Sequence, residues 1–116
     1  MTLPEPTECI FCQIVRGELA CEKLYEDADI FAFRDIHPKA PLHGLVVPKR
    51  HVATLNDFDA ADAALLGRLM LVARQIAAAH ELAGYRVAMN IGSLGGQVVF
   101  HAHLHVLGGR QMTGLG

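Results

Sequence analysis

Three of the seven histidines, His101, His103 and His105, stand at alternate positions in the stretch His-Ala-His-Leu-His. On extended backbone, successive side chains point to opposite faces, so this spacing groups the three imidazoles while Ala102, Leu104 and Val106 share the other face. Helical backbone would scatter them. Each ring needs polar partners and adds little to an apolar core, so packing alone does not account for the group. Two chemistries suit it. One is metal ligation; the other is nucleophilic or acid–base catalysis, for which neutral imidazole, with an ordinary pKa near 6.5, is both a nucleophile and a proton carrier. At a rise of about 3.3 Å per residue the outer two α-carbons lie roughly 13 Å apart, so neighbours at most share an ion and at least one ring stays free.

The elements that must position these rings are legible on either side. Val98-Val99-Phe100 leads into the histidine strand, Val106-Leu107 continues it and Gly108-Gly109 ends it. The turn over residues 92–97, rich in glycine, offers backbone N–H groups to an anion. Residues 85–91 alternate as a strand, with Tyr85, Val87, Met89 and Ile91 on one face and Arg86, Ala88 and Asn90 on the other. Residues 43–48 read as a strand closed by Pro48, and residues 23–26 and 29–34 as a hairpin turning at Asp27-Ala28. His37-Pro38-Lys39-Ala40-Pro41 is a loop. One long helix is expected from Asn56 or Asp59 to Leu82, its packing stripe formed by Leu65, Leu66, Leu69, Val72, Ala73 and Ile76, with Gly84 marking its end. A short helix over residues 10–16 carries Cys9-x-x-Cys12 at its start. That pair by itself fits a redox dithiol, half a zinc site or chance, although no strand precedes it as a redox motif would require. Five strands with one long helix make an α+β fold.

A chain of 116 residues forms a single domain over 1–116, with residues 1–8 as a flexible tail. A net charge of −2 without a basic block gives no support to a nucleic-acid polymer as partner, whereas one nucleotide needs no such patch. The N-terminus lacks the basic and apolar regions of a secretory leader, and the apolar run over residues 60–79 is broken by Asp62, Arg68 and Arg74, against a membrane span. Three cysteines without an export signal point to a reducing cytoplasm. A mean hydropathy of +0.28 suggests that a partner subunit covers some surface.

The stretch from His101 to Arg110 resembles the histidine-triad motif of the HIT superfamily. Its Gly-Gly-Arg ending, Gly95-Gly96-Gln97 before it, and Leu45-Val46-Val47-Pro48-Lys49-Arg50-His51 are most similar to the Hint branch of purine nucleoside phosphoramidases, over nearly the whole chain. The resemblance implies a five-stranded antiparallel sheet with one short and one long helix, in a homodimer whose sheets join into ten strands. It also implies hydrolysis of the P–N bond of purine nucleoside 5′-phosphoramidates through a nucleotidyl-histidine on His103. His105 and His43 would flank the phosphate, Asn90 and Gln97 would face substrate, and Asp35 would hold the ribose hydroxyls. Phe11, Ile14, Phe33 and Ile36 would form the base pocket.

A second likeness, to zinc-binding HIT proteins and the galactose phosphate uridylyltransferase branch, implies a structural Zn²⁺ on Cys9, Cys12, His51 and His101, with no metal in the chemistry itself. One departure stands out: Val98 occupies the place of a serine in animal Hint proteins, which implies an altered leaving-group preference. Competing readings are a Fhit-like dinucleoside polyphosphate hydrolase, a nucleotide-binding regulator with residual activity, and a copper or nickel site on the triad.

Overall fold

The computed structural model describes residues 9–115, so the tail expected over residues 1–8 lies outside the described residues. The elements are α1 (Ile10–Val15), β1 (Lys23–Glu26), β2 (Ile30–Arg34), β3 (Leu42–Pro48), α2 (Ala63–Ala79), β4 (Tyr85–Ala88) and β5 (Leu104–Gly108). All five strands form one antiparallel sheet in the order β1-β2-β3-β5-β4.

Strand alternation divides the core into two layers. Ile30, Ala32, Val46, Leu104 and Val106 face α2, which buries Leu69, Val72, Ala73 and Ile76 against them. Phe31, Phe33, Leu45 and Val47 face the other way and pack with Cys9, Phe11 and Cys12 of the short α1 segment. β3 is buried along its whole length, because it lies between β2 and β5 and is covered on both faces. Register then assigns the imidazoles: His105 is paired with Leu45 and His43 with Leu107, so both stand on the α1 face. Arg86 and Ala88 of β4 share that face, while Val87 and Met89 pack on the α2 side as the alternation requires.

Four boundaries differ by more than one residue from the sequence expectation. The long helix does not start at Asn56 or Asp59. Thr54 with Asp57 and Asp59 with Asp62 each close a reciprocal capping box on a 3₁₀ turn, Leu55–Asp57 and Ala60–Asp62, and α2 begins after the second. It stops at Ala79, before Gly84, because Glu81 takes a left-handed φ of 57° that lets the Leu82 N–H bond to the Ala77 carbonyl. The histidine strand is shorter than expected too. Pairing begins at Leu104; upstream, the Ala102 N–H bonds at 2.7 Å to the Val52 carbonyl, drawing residues 101–103 off the ladder and ending β4 at Ala88.

Candidate active site

Although residues 101–103 leave the sheet, they keep their rings on the α1 side, each held by a different partner. His103 Nδ1 donates to the His101 carbonyl at 2.7 Å. In the neutral ring this leaves the Nε2 lone pair unshared. Phe11 meets His103 edge-on with centroids 5.1 Å apart and Phe33 at 5.3 Å, so the phenyl rings form a buried wall that fixes the imidazole plane. The next ring along is His105, 4.9 Å from His103.

A chain of hydrogen bonds sets the remaining tautomers. The Lys39 backbone N–H donates to His43 Nδ1 at 3.1 Å, so neutral His43 carries its proton on Nε2. That Nε2–H donates to His105 Nδ1 at 2.9 Å, which places the His105 proton on Nε2. Two adjacent rings therefore present opposite functions, a lone pair on His103 and an N–H on His105. Asp35 stands behind this relay, its Oδ2 3.5 Å from His43 Nε2, its Oδ1 accepting from the His37 N–H at 2.9 Å.

Burial keeps the rings neutral. It pushes His105 down to about 4, helped by the neighbouring His103 and His43 rings, and holds His103 and His43 below the ordinary 6.5. Because His105 stays deprotonated to about 4 when folded while the unfolded chain protonates near 6.5, stability declines as pH falls between those values. Any chemistry at the His103–His105 pair should accordingly keep its neutral level as pH falls through the ordinary histidine pKa near 6.5. A kcat/KM profile that halves near the ordinary histidine pKa would contradict this assignment of the relay.

His101 is turned away from its two neighbours. Its Nε2 donates to the Pro48 carbonyl at 2.8 Å, which points the Nδ1 lone pair at Cys9 Sγ, 3.3 Å away, and Cys12 Sγ, 3.5 Å away. His51 Nδ1 lies 3.4 Å from Cys12 Sγ. All four donor atoms fall within 4.8 Å of one another. A tetrahedral zinc with Zn–S of about 2.3 Å and Zn–N of about 2.0 Å has S···N edges of about 3.5 Å, so the set fits that ion with no open position. Without a cation, burial and the neighbouring Cys9 push the Cys12 thiol up to about 11, a cost that a bound cation reverses.

Asp35, His43 and His105 also bring three donor atoms within 4.8 Å. Their tautomers oppose a metal there, since His43 Nε2 is committed as a donor. With His101 turned to the cysteines, the three triad rings do not converge as a copper or nickel chelate would need.

The other expected site residues divide. Phe11 and Phe33 are buried and Ile14 packs beside them, whereas Ile36 is 83% exposed next to Asp35. Gln97 is buried with its amide spent on backbone: Nε2 donates to the Ala53 and Val99 carbonyls, and Oε1 accepts from the Gly92 N–H. It braces the glycine-rich turn, in which Gly92 and Gly96 take left-handed φ values. The anion cradle expected there is corrected in part, because the Gly95, Gly96 and Gln97 N–H groups bond within the turn. Asn90 Nδ2 reaches toward the Gly96 carbonyl at 3.5 Å, and Val98 is 86% exposed. Sequence reasoning missed the backbone groups of Pro48, Val52 and Lys39, which carry no residue-type signal.

An antiparallel sheet with a short helix over a histidine relay on one face and a long helix on the other defines the architecture. A HIT domain model matches residues 16–112. The chain belongs to the HIT domain family. It is 46% identical over 107 residues to an uncharacterized HIT-like protein of Synechococcus elongatus, covering 91% of this chain and 94% of that one. Among solved structures it is similar to a HIT family hydrolase from Legionella pneumophila, with 50% identity, a TM-score of 0.88, and 90% and 96% of the two chains covered. It is also similar to a zinc-bound histidine triad family protein from Mycobacterium smegmatis, with 35% identity, a TM-score of 0.82, and 91% and 78% covered. The chain is thus hydrolase-like by kinship, and no helix among the described residues is long and apolar enough to cross a membrane.

Proposed function

We propose that the protein hydrolyses the P–N bond of purine nucleoside 5′-phosphoramidates, with His103 as nucleophile. The observation that carries this reading is the pair of fixed, complementary tautomers: the His103 Nε2 lone pair beside the His105 Nε2–H. His103 Nε2 forms a bond to the α-phosphorus as the P–N bond breaks, and the amine leaves with a proton drawn from solvent, the neutral His105 N–H only hydrogen-bonding at the phosphoryl group. The His105 N–H and its His43 support stabilise charge gathering on the phosphoryl oxygens. Water then attacks the nucleotidyl-histidine, its proton passing back to solvent as the bond to His103 Nε2 breaks, and nucleoside monophosphate departs with His103 restored as a neutral ring.

Asp35, half-buried at the mouth of the relay, suits the two ribose hydroxyls as a double acceptor, with exposed Ile36 beside the base. This reading assigns Asn90 and the braced Gly-Gly-Gln turn to the phosphate end of the substrate. Exposed Val98 neither donates nor accepts a hydrogen bond, which leaves the departing amine to water or backbone. In this reading Cys9, Cys12, His51 and His101 hold a structural zinc that clamps α1 to the segment before β5 and takes no part in the chemistry. The relative from Mycobacterium smegmatis, bound to zinc, supports the assignment. A homodimer joined through the β4 edge fits the edge position of that strand and the part-exposed Tyr85, Met70 and Leu71. The free thiols fit a cytoplasmic setting.

Rapid quenching during turnover of an adenosine phosphoramidate, followed by peptide mapping, should place nucleotide on His103. Turnover of a diadenosine polyphosphate in preference to the phosphoramidate would favour the Fhit-like alternative. Absence of any adduct with either substrate would remove the nucleophile assignment.

A further inference from the structure

The Gly-Gly-Arg ending of the histidine motif has so far been given no task for its arginine. Arg110 directs Nε and Nη2 onto one acceptor, the Lys39 carbonyl, at 3.2 and 3.0 Å. The same residue's N–H, on the other side of its α-carbon, is the donor that fixes His43. Lys39 is thus gripped from both ends. His43 sits on fully buried β3, 2% exposed, so its backbone is held independently. Lys39 belongs to the loop between β2 and β3, with prolines at 38 and 41 and no ladder partner of its own. The loop is therefore the part of the relay that needs an external anchor.

The approach of Arg110 is built into the turn before it. Gly109 takes a φ of +95°, and a Cβ there would come within 2.8 Å of Pro41 Cβ, so the chain after β5 lies directly against the loop. A planar fork suits this task better than an ammonium, because two N–H groups can hold one carbonyl in orientation as well as distance.

We propose that Arg110 is a positioning residue for the histidine relay, clamping the Lys39 carbonyl so that the N–H on the other side of the same α-carbon fixes the tautomer and plane of His43. This rests on the reading of His43 and His105 as the proton-bearing side of the phosphoramidase site. Arg110 touches no reacting atom. Its loss should lower kcat about five- to tenfold while KM for an adenosine phosphoramidate changes less than about twofold, since orientation of the relay is lost and the nucleoside contacts are kept.

The test uses R110M and R110K in the full chain. Hydrogen exchange of the Lys39 amide should quicken about five- to tenfold in R110M, and the ¹⁵N resonance of His43 Nδ1 should shift as its donor is lost. R110K, keeping one donor, should fall between R110M and wild type in exchange and in kcat. If R110M does not fold, R110K decides alone. Unchanged Lys39 exchange and an unchanged His43 resonance in a folded variant would overturn the clamp. Those two readings stand whether or not the wild type turns over phosphoramidates, whose failure would instead remove the functional reading.

Discussion

On the proposed reading, replacing His103 with alanine should lower phosphoramidate turnover by about four orders of magnitude or more, because it removes the atom that would make the covalent bond. No neighbouring group can substitute. His105 Nδ1 is occupied by His43, its Nε2 carries the proton, and His101 faces the cysteines. The same change should leave the fold in place, since the ring fills space against Phe11 without linking elements through hydrogen bonds other than the one to its own strand segment. Nucleotide affinity in H103A should therefore stay within about tenfold of wild type, the contacts of Asp35 being untouched. His105→Ala should cost less, about 10²- to 10³-fold, as expected for losing a charge-stabilising donor while the nucleophile remains. Single-turnover assays with an adenosine phosphoramidate measure both, and H103A retaining more than about a hundredth of wild-type activity would transfer the nucleophile's role elsewhere.

On the proposed zinc reading, removing the metal or replacing Cys9 with serine should produce a large loss of stability outside the sheet core. A ligand present at about a thousand times its dissociation constant stabilises the folded state by about 4 kcal/mol, and in a domain of this size that corresponds to a fall in Tm of roughly 15 °C. The physical origin lies in what the site joins. Cys9 and Cys12 belong to the start of α1, His51 follows β3, and His101 precedes β5, so one ion would tie α1 to two segments already joined to each other by the Ala102–Val52 and His101–Pro48 hydrogen bonds. Without it, two buried thiols and two imidazoles are left as hydrogen-bonding groups of modest strength. The sheet and α2 core do not depend on the site, so the apo protein should remain folded at room temperature, unlike a zinc finger. Calorimetry before and after chelation, with metal analysis of the purified chain, reads the effect. A metal-free preparation whose Tm ignores both chelator and C9S would leave the cluster as a hydrogen-bonded packing group.

The two faces of the sheet were legible because side-chain alternation is a property of the backbone that residue type reports directly. Arg86 and Ala88 fall on the imidazole side and Val87 and Met89 on the helical side as the pattern requires. The α2 stripe was equally clear, and its start was misplaced for a local reason, two capping boxes in succession. The pattern of residues 101–103 is that of a ladder strand; what diverts them is a single bond to Val52, distant in sequence. The apolar candidates for the base pocket could not be sorted by type. Phe11 and Ile36 are both hydrophobic, and only packing makes one a buried wall and the other an exposed residue beside Asp35.

By itself the sequence determined that three imidazoles share a face, that a Cys-x-x-Cys pair lies near the start of the chain, and that one of the triad histidines must stay free of any shared ion. It did so through spacing, which covalent geometry converts into direction. The motif's likeness to the HIT family already implied a separate task for each imidazole; only the tertiary structure decided which backbone group holds each ring. Those are the Pro48, His101 and Lys39 backbone groups, each of which selects a tautomer by donating or accepting one hydrogen bond. Every residue but proline carries the same N–H and C=O, so no residue type announces these partners, and the tautomers of His101, His103 and His43 are fixed only when the folded chain brings a particular carbonyl or N–H to each ring.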